Sequence, residues 1–366
     1  MEMTERYIFK MFPKLKQNLP WMKLADLPTP VTRLENLGKV VGNSSIWLKR
    51  DDLNSKLYSG NKPRKFEFIF AEAKSKGAKK IVTTGSDGSN HGVATALFGK
   101  MMGFDVCIAT SPQPVLSYVR DNIKCVNYTG AKIIHSRTTP GATLDSILEI
   151  LVSRVKGERA YWMYFGGSSL VGNIGFVEAG LEIAAQIHDG LLPEPEYIFT
   201  PSGSCGTHAG LSLGLKYAGL KSKVIGVRIV PKIVTNKYVV TNLFNRTARF
   251  LEIRCSDIPH FRIQPREVML LNNFFGGEYG RPTHEGKAAI KLLNETEGVI
   301  LDPTYTGKAF AGMLDFIRQN KIENSPILYW NTLNTVPIPM SEQTDLLSFP
   351  PELRRYFTEE LYDPEL

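Results

Sequence analysis

The chain has 366 residues, 43% hydrophobic and 22% charged, with a formal net charge of +8. This is enough apolar residue for a sizeable core, in one large or two interleaved domains, and it excludes a disordered chain. Lysines and arginines are dispersed, with no run longer than Lys79-Lys80, so the basic balance suits small anionic ligands and argues against a nucleic-acid groove.

Taken in order, residues 1–27 predict an irregular or helical N-terminal arm, and Leu27-Pro28-Thr29-Pro30-Val31 an extended entry. Residues 46–51 alternate as a short strand. In Ser59-Gly60-Asn61-Lys62-Pro63-Arg64-Lys65, Pro63 suits a first helical turn and pushes Lys62 out of the α region, placing that lysine at a strand-to-helix turn. Phe66, Ile69, Phe70 and Ala73 then recur at helical spacing, with a stop at Gly77. Strands are expected at 80–85, 104–109 and 131–135, and helices at 93–102 and 115–128. Residues 157–177 read as a connection into a helix from about 175 to 188. The alternation resumes with strands at 196–200 and 223–229 around a helix at 209–217. The segment 230–275 reads as helical, and the last unit as a strand-like 298–301, a helix at 308–318 and a strand at 327–330. The tail, rich in Pro, Glu and Tyr, is expected to be loosely ordered. Short apolar strands alternating with helices predict an α/β fold of parallel sheets covered on both faces.

Four cysteines without a C-x-x-C pair give no disulfide framework, and six scattered histidines give no metal pattern. With no signal-like N-terminus and no stretch of membrane-span length, the expectation is a cytoplasmic protein that binds neither membrane nor nucleic acid.

The chemistry sits in turns between strands and helices. Lys62 is placed for covalent work on a carbonyl. Ser202-Gly203-Ser204-Cys205-Gly206-Thr207-His208 has the glycines, hydroxyls and helix N-terminus of a phosphate cradle, yet is neither a Walker loop nor a dinucleotide fingerprint. Gly85-Ser86-Asp87-Gly88-Ser89-Asn90-His91 offers N–H groups to a carboxylate and the Asn90 amide to a phenolate. Asp302-Pro303-Thr304-Tyr305-Thr306-Gly307-Lys308 and Gly276-Gly277-Glu278-Tyr279-Gly280 add two tyrosines and a threonine. A reactive lysine, a phosphate cradle, a carboxylate site and acid/base tyrosines together are what pyridoxal 5′-phosphate requires.

These motifs, with Trp47-Leu48-Lys49-Arg50-Asp51-Asp52-Leu53 and Gly166-Gly167-Ser168, occur in an order that resembles the D-cysteine desulfhydrase and 1-aminocyclopropane-1-carboxylate deaminase family. That family has the tryptophan synthase β-like, fold type II pyridoxal-phosphate architecture. The resemblance covers about 28–335. It implies two interleaved doubly wound domains: an arm at 1–27, a large domain at 28–62 and 180–345, a smaller one at 63–179, and a tail at 346–366. It also implies that Lys62 holds the cofactor as an imine and moves the α-proton. Asn90 would bind the cofactor O3′, and Gly203, Ser204, Cys205, Gly206 and Thr207 its phosphate, with Lys65. Thr306 would face the ring nitrogen. Ser89, Asn90 and His91 would hold the substrate carboxylate, and Tyr279 and Tyr305 would serve the leaving group or proton transfer. Where the deaminases carry Glu, Thr306 argues for α,β-elimination by a homodimeric lyase. Gly88 and Asn331-Thr332-Leu333-Asn334 depart from the family pattern and point to a reshaped pocket. β-Replacement, deaminase-like activity and cofactor binding without catalysis are the alternatives.

Overall fold

A computed structural model describes residues 5–340 and 346–362. Two short helices, α1 (Tyr7–Met11) and α2 (Leu15–Asn18), precede β1 (Val31–Arg33), α3 (Glu35–Val41), β2 (Ile46–Arg50) and α4 (Asn61–Ser75). There follow β3 (Lys80–Ser86), α5 (Asn90–Met101), β4 (Asp105–Ser111), α6 (Ser117–Thr129), β5 (Lys132–His135), α7 (Thr139–Val155) and β6 (Ala160–Met163). The chain continues through α8 (Leu170–His188), β7 (Tyr197–Ser202), α9 (Gly206–Tyr217), β8 (Lys223–Arg228), α10 (Lys237–Glu252) and β9 (Met269–Leu271). Last come α11 (His284–Glu297), α12 (Thr306–Asn320), β10 (Ile327–Asn331) and α13 (Arg355–Thr358).

The chain divides into two compact units, Met1–Phe68 with Ser168–Thr335, and Ile69–Gly167 with Val336–Leu366. In the first, six strands run in the order β1-β2-β10-β7-β8-β9. Only the β1–β2 pair is antiparallel. The second has four parallel strands in the order β5-β4-β3-β6. The α/β parallel-sheet architecture is therefore as expected. Central strands read as continuous apolar runs because both their faces are covered, as in β10, where every residue is buried. Ser89, Thr138, Ser169, Asn236 and Thr283 start α5, α7, α8, α10 and α11 by accepting N–H groups of the first turn.

The N-terminal segment is pinned into the first unit by two buried carboxylates. Glu178 accepts the Tyr7 and Ile8 N–H groups at 2.9 and 2.7 Å. Glu67 accepts Arg6 Nε at 2.9 Å, Trp21 Nε1 at 3.1 Å and the Ala25 N–H at 2.9 Å. Ile8, Phe9, Phe12 and Leu15 then enter the core around α8, α9 and α10.

Several local expectations are corrected. Residues 157–177 are not merely a connection: 160–163 pair with β3 as β6, and α8 starts five residues before the expected position, at Leu170. Aromatic Tyr161 and Trp162 suit a pleated surface better than a loop. The stretch 298–301 forms no strand, and α11, unread in the sequence, precedes it. Within 230–275 only α10 is a full helix; β9 and irregular backbone make up much of the rest. Helix α8, with 19 residues and a mean hydropathy of 1.2, does reach membrane-span length, but 78% of that window is buried and it carries Glu178 and Glu182. It is a core helix. In the C-terminal segment Phe349, Leu353 and Tyr356 are buried against Val115, Val119 and Ile123 of the second unit, so 346–362 is packed. Tyr356 is anchored there because its hydroxyl donates to Asp87 at 2.8 Å.

Candidate active site

The geometry begins at the start of α4. Lys62 lies inside the first helical turn and not at the expected turn before it, because α4 already begins at Asn61. Pro63 is tolerated there since first-turn N–H groups have no helical acceptor. The segment holding this helix start is the divergent 331–334. Asn334 Oδ1 accepts the Ser59 N–H at 2.7 Å, and the Asn61 N–H reaches Thr332 O at 3.3 Å. Gly60, at φ +88°, lies so close that a Cβ would sit 2.3 Å from Thr332 O. The departure from the family pattern thus buttresses the backbone that carries Lys62.

Lys62 and Lys65 stand one helical turn apart on α4. Burial lowers the Lys62 amine from 10.5 to about 8. Burial and the nearby Lys62 together hold Lys65 well below its usual value. Lys65 Nζ donates to Ser168 Oγ at 3.0 Å, and Ser168 Oγ also lies 2.7 Å from Ser204 Oγ and accepts the Gly206 N–H at 3.1 Å. The 203–207 turn is drawn tight: Cys205 has φ +65°, and buried Thr235 donates to Gly203 O. An amine and two hydroxyls are thereby gathered at the N-terminus of the 12-residue α9. This donor set fits a phosphate, whose charge would relieve the repulsion between the two lysines. The contributions of Ser168 and Thr235 were not assigned from sequence, because both reach the turn from remote parts of the chain.

Asp302 organises the other motif. Its Oδ1 accepts the N–H groups of Thr304 and Tyr305 at 2.9 and 2.6 Å, and Oδ2 accepts that of Thr306 at 3.1 Å. Thr306 Oγ1 donates to Asp302 Oδ2 at 2.6 Å and accepts the Asp302 N–H at 2.7 Å. The hydroxyl therefore keeps one lone pair and no proton for a further partner. Asp302 follows irregular backbone, correcting the expected strand end; its own side chain shapes the turn. The Tyr279 and Tyr305 hydroxyls are hydrogen-bonded, with ring centroids 6.0 Å apart at 73°. Buried Lys308 donates to Phe275 O at 2.7 Å, tethering the segment that leads to Tyr279. Burial lowers the Lys308 amine to about 8, opposed by Asp302.

Ser89, Asn90 and His91 lie in the second unit. Ser89 Oγ caps α5 by accepting the Gly92 N–H at 3.0 Å. Asn122 Nδ2 donates to Asn90 Oδ1 at 2.9 Å and to Gly88 O at 2.8 Å, which leaves the Asn90 amide turned out as a donor. Gly88 packs on α6, where a Cβ would come within 2.8 Å of Val119 Cα, so no glutamine could stand there unchanged. His91 faces inward. Thr83 Oγ1 donates to Met163 O at 2.7 Å, so the His91 Nε2, 2.8 Å from Thr83 Oγ1, carries the proton and donates to it. That contact ties the Nε2 side of the ring to β3, within the second unit.

The family described as pyridoxal-phosphate dependent enzyme matches residues 22–332. D-cysteine desulfhydrases from two strains of Klebsiella pneumoniae are each 34% identical over 327 residues, covering 86% of this chain and 95% of theirs. The crystal structure of an ACC deaminase homologue superposes with a TM-score of 0.77 at 29% identity, over 91% of this chain and 96% of that one. Threonine deaminase isoform 2 from Solanum lycopersicum shares the fold, with a TM-score of 0.60 at 18% identity over 92% and 85% of the two chains.

Proposed function

The chain belongs to the pyridoxal-phosphate-dependent enzymes, and on that premise we propose that it is a lyase that removes a β-substituent from a small amino acid. The products are pyruvate, ammonia and the departing group, and D-cysteine or a related β-substituted amino acid is the substrate. The observation that carries this reading is Lys62, its amine lowered by burial, one turn from Lys65, which donates to Ser168 Oγ at the N-terminus of α9.

When bound, pyridoxal phosphate supplies the electron sink that stabilises negative charge at the substrate α-carbon. Lys62 holds the cofactor and moves the α-proton, work for which an amine near 8 is better suited than one at its ordinary value. Lys65, Ser168, Ser204 and the amides of Gly203, Cys205, Gly206 and Thr207 hold the phosphate. Asn90 donates to O3′. The Ser89 hydroxyl and the backbone of 89–91 hold the substrate carboxylate. Thr306, backed by Asp302, faces the ring nitrogen; a hydroxyl there supports positive charge less than a carboxylate would, which suits loss of a good leaving group. Tyr279 and Tyr305, whose hydroxyls are hydrogen-bonded to each other, hand a proton to that group as it departs. The protein works as a cytoplasmic homodimer with one complete site per subunit.

The test is the visible absorption of the purified protein while D- and L-amino acids are added in turn, with keto-acid release followed alongside. The expected result is a yellow protein whose band shifts with a β-substituted amino acid and which then releases pyruvate. Release that requires an added thiol or amine would replace elimination with β-replacement. A colourless protein that cannot be reconstituted with pyridoxal phosphate would overturn the reading.

A further inference from the structure

Helix α7 of the second unit is amphipathic in the inverse sense. Its buried residues are Ala142, Ser146, Glu149 and Ser153. Glu149 pairs with Lys80 of β3 at 3.2 Å and Lys132 of β5 at 2.6 Å, and Ser153 accepts from Lys80 at 3.1 Å. The apolar face is the one turned outward: Leu144 is 62% exposed, Ile147 39%, Leu148 56%, Leu151 50%, Val152 46% and Val155 89%. An isolated globular unit gains nothing from this arrangement, which withholds leucine from the core and leaves it in water.

The exposed set has internal symmetry. Leu144, Leu148, Leu151 and Val155 are spaced by four, three and four residues, the seam of a helix that packs on another helix. Reversing the helix about a point between Glu149 and Ile150 exchanges Leu144 with Val155, Ile147 with Val152 and Leu148 with Leu151. That is the self-complementarity an isologous two-fold contact requires. The seam itself carries no charged residue, so a partner recognised by charge would find nothing on it to pair with. Trp162 of the edge strand β6, 44% exposed, enlarges the patch. Its neighbour Met163 points its sulfur at Thr95 of α5, 3.6 Å away, so alternation along the strand turns Trp162 to the opposite, α7-covered face of the sheet. Together these side chains offer roughly 500 Å² of apolar surface, near the largest patch of an ordinary monomer. Doubled across a dyad, about 1,000 Å² reaches the size at which specific interfaces begin.

We propose that this face is where two copies of the chain pair, α7 lying antiparallel on the α7 of the second copy. The assignment rests on the homodimer reading above and adds its location; it is independent of the chemistry of the site. It is tested by analytical ultracentrifugation of the cofactor-loaded protein at micromolar concentration, comparing the natural chain with the double variant Leu148→Lys/Leu151→Lys. A dimeric natural chain and a monomeric variant with unchanged circular dichroism and thermal unfolding are the expected result. A variant that remains dimeric overturns the location and leaves the homodimer standing. A monomeric natural chain overturns both. Should the lysine variant not fold, Leu148→Ala/Leu151→Ala is expected to raise the dimer dissociation constant at least tenfold; an unchanged constant rejects the face.

Discussion

Three basic residues within one turn of α4 meet opposite fates. Arg64 is fully buried and fully answered: Asp51 accepts at 2.8 and 2.7 Å, and Glu182 at 2.8 and 3.0 Å. Glu182 also meets buried Lys49 at 2.6 Å, and Trp330 Nε1 donates to Asp51 at 2.8 Å, so two cations face two carboxylates in a closed network. Burial would raise the Glu182 carboxyl, but Arg64 and Lys49 more than offset this and hold it low. Burial likewise opposes the Arg64 charge, which Asp51 and Glu182 restore. For Lys62 burial, and for Lys65 burial together with the neighbouring Lys62, set the balance instead, and their charged forms are disfavoured. A buried charge neutralised from within is part of the fold; a buried cationic site left unneutralised is a place for an anionic ligand.

The contrast is broken most severely at Lys62. Lys62→Ala is expected to remove the bound chromophore and to lower turnover by about 10³-fold or more, read by absorption and keto-acid release. Turnover retained in that variant would refute the assignment. Arg64→Met should act on stability instead, costing about 3–5 kcal/mol in denaturant unfolding by stranding two buried carboxylates. Lys65→Met should leave the cofactor-free fold as stable as before or slightly more so, while weakening pyridoxal-phosphate affinity roughly 10–100-fold through loss of a charged donor, measured by cofactor titration. If Lys65→Met instead destabilised the cofactor-free protein like Arg64→Met, the distinction between the two kinds of basic residue would fail.

The smallest effect is a pH dependence. The folded-state value of Lys62, about 8, lies below its ordinary 10.5. Between the two, the unfolded chain binds a proton that the folded chain has released, so stability rises with pH across that window. Cofactor-free protein should therefore gain about 1–3 kcal/mol relative to Lys62→Met between pH 8 and 10.5 in denaturant titrations. Parallel profiles for the two proteins would show that Lys62 titrates near its ordinary value.

Most of the strand–helix alternation was legible because continuous apolar runs, glycine turns and polar caps are local signals. The strand at 160–163 escaped because four residues with two bulky aromatics have no periodicity to read, and pairing with β3 decides them. Helix α11 escaped between two glycine-bearing loops. Among the site residues, Lys62 and the 202–208 turn announce themselves by composition. Ser168, Thr235 and the network partners of Arg64 could not, since nothing local to them marks which remote groups they meet.

The sequence by itself determined the α/β alternation and which turns carry donors suited to a lysine-bound phosphate cofactor, because those properties depend on neighbours within a few residues. Only the tertiary structure decided that Arg64 meets two carboxylates while Lys65 meets the Ser168 hydroxyl, that His91 turns into the fold, and that α7 shows its leucines to solvent. Each of these depends on which distant carboxylate, hydroxyl or strand lies across from a side chain, and pairing at long range is set by packing, not by local pattern.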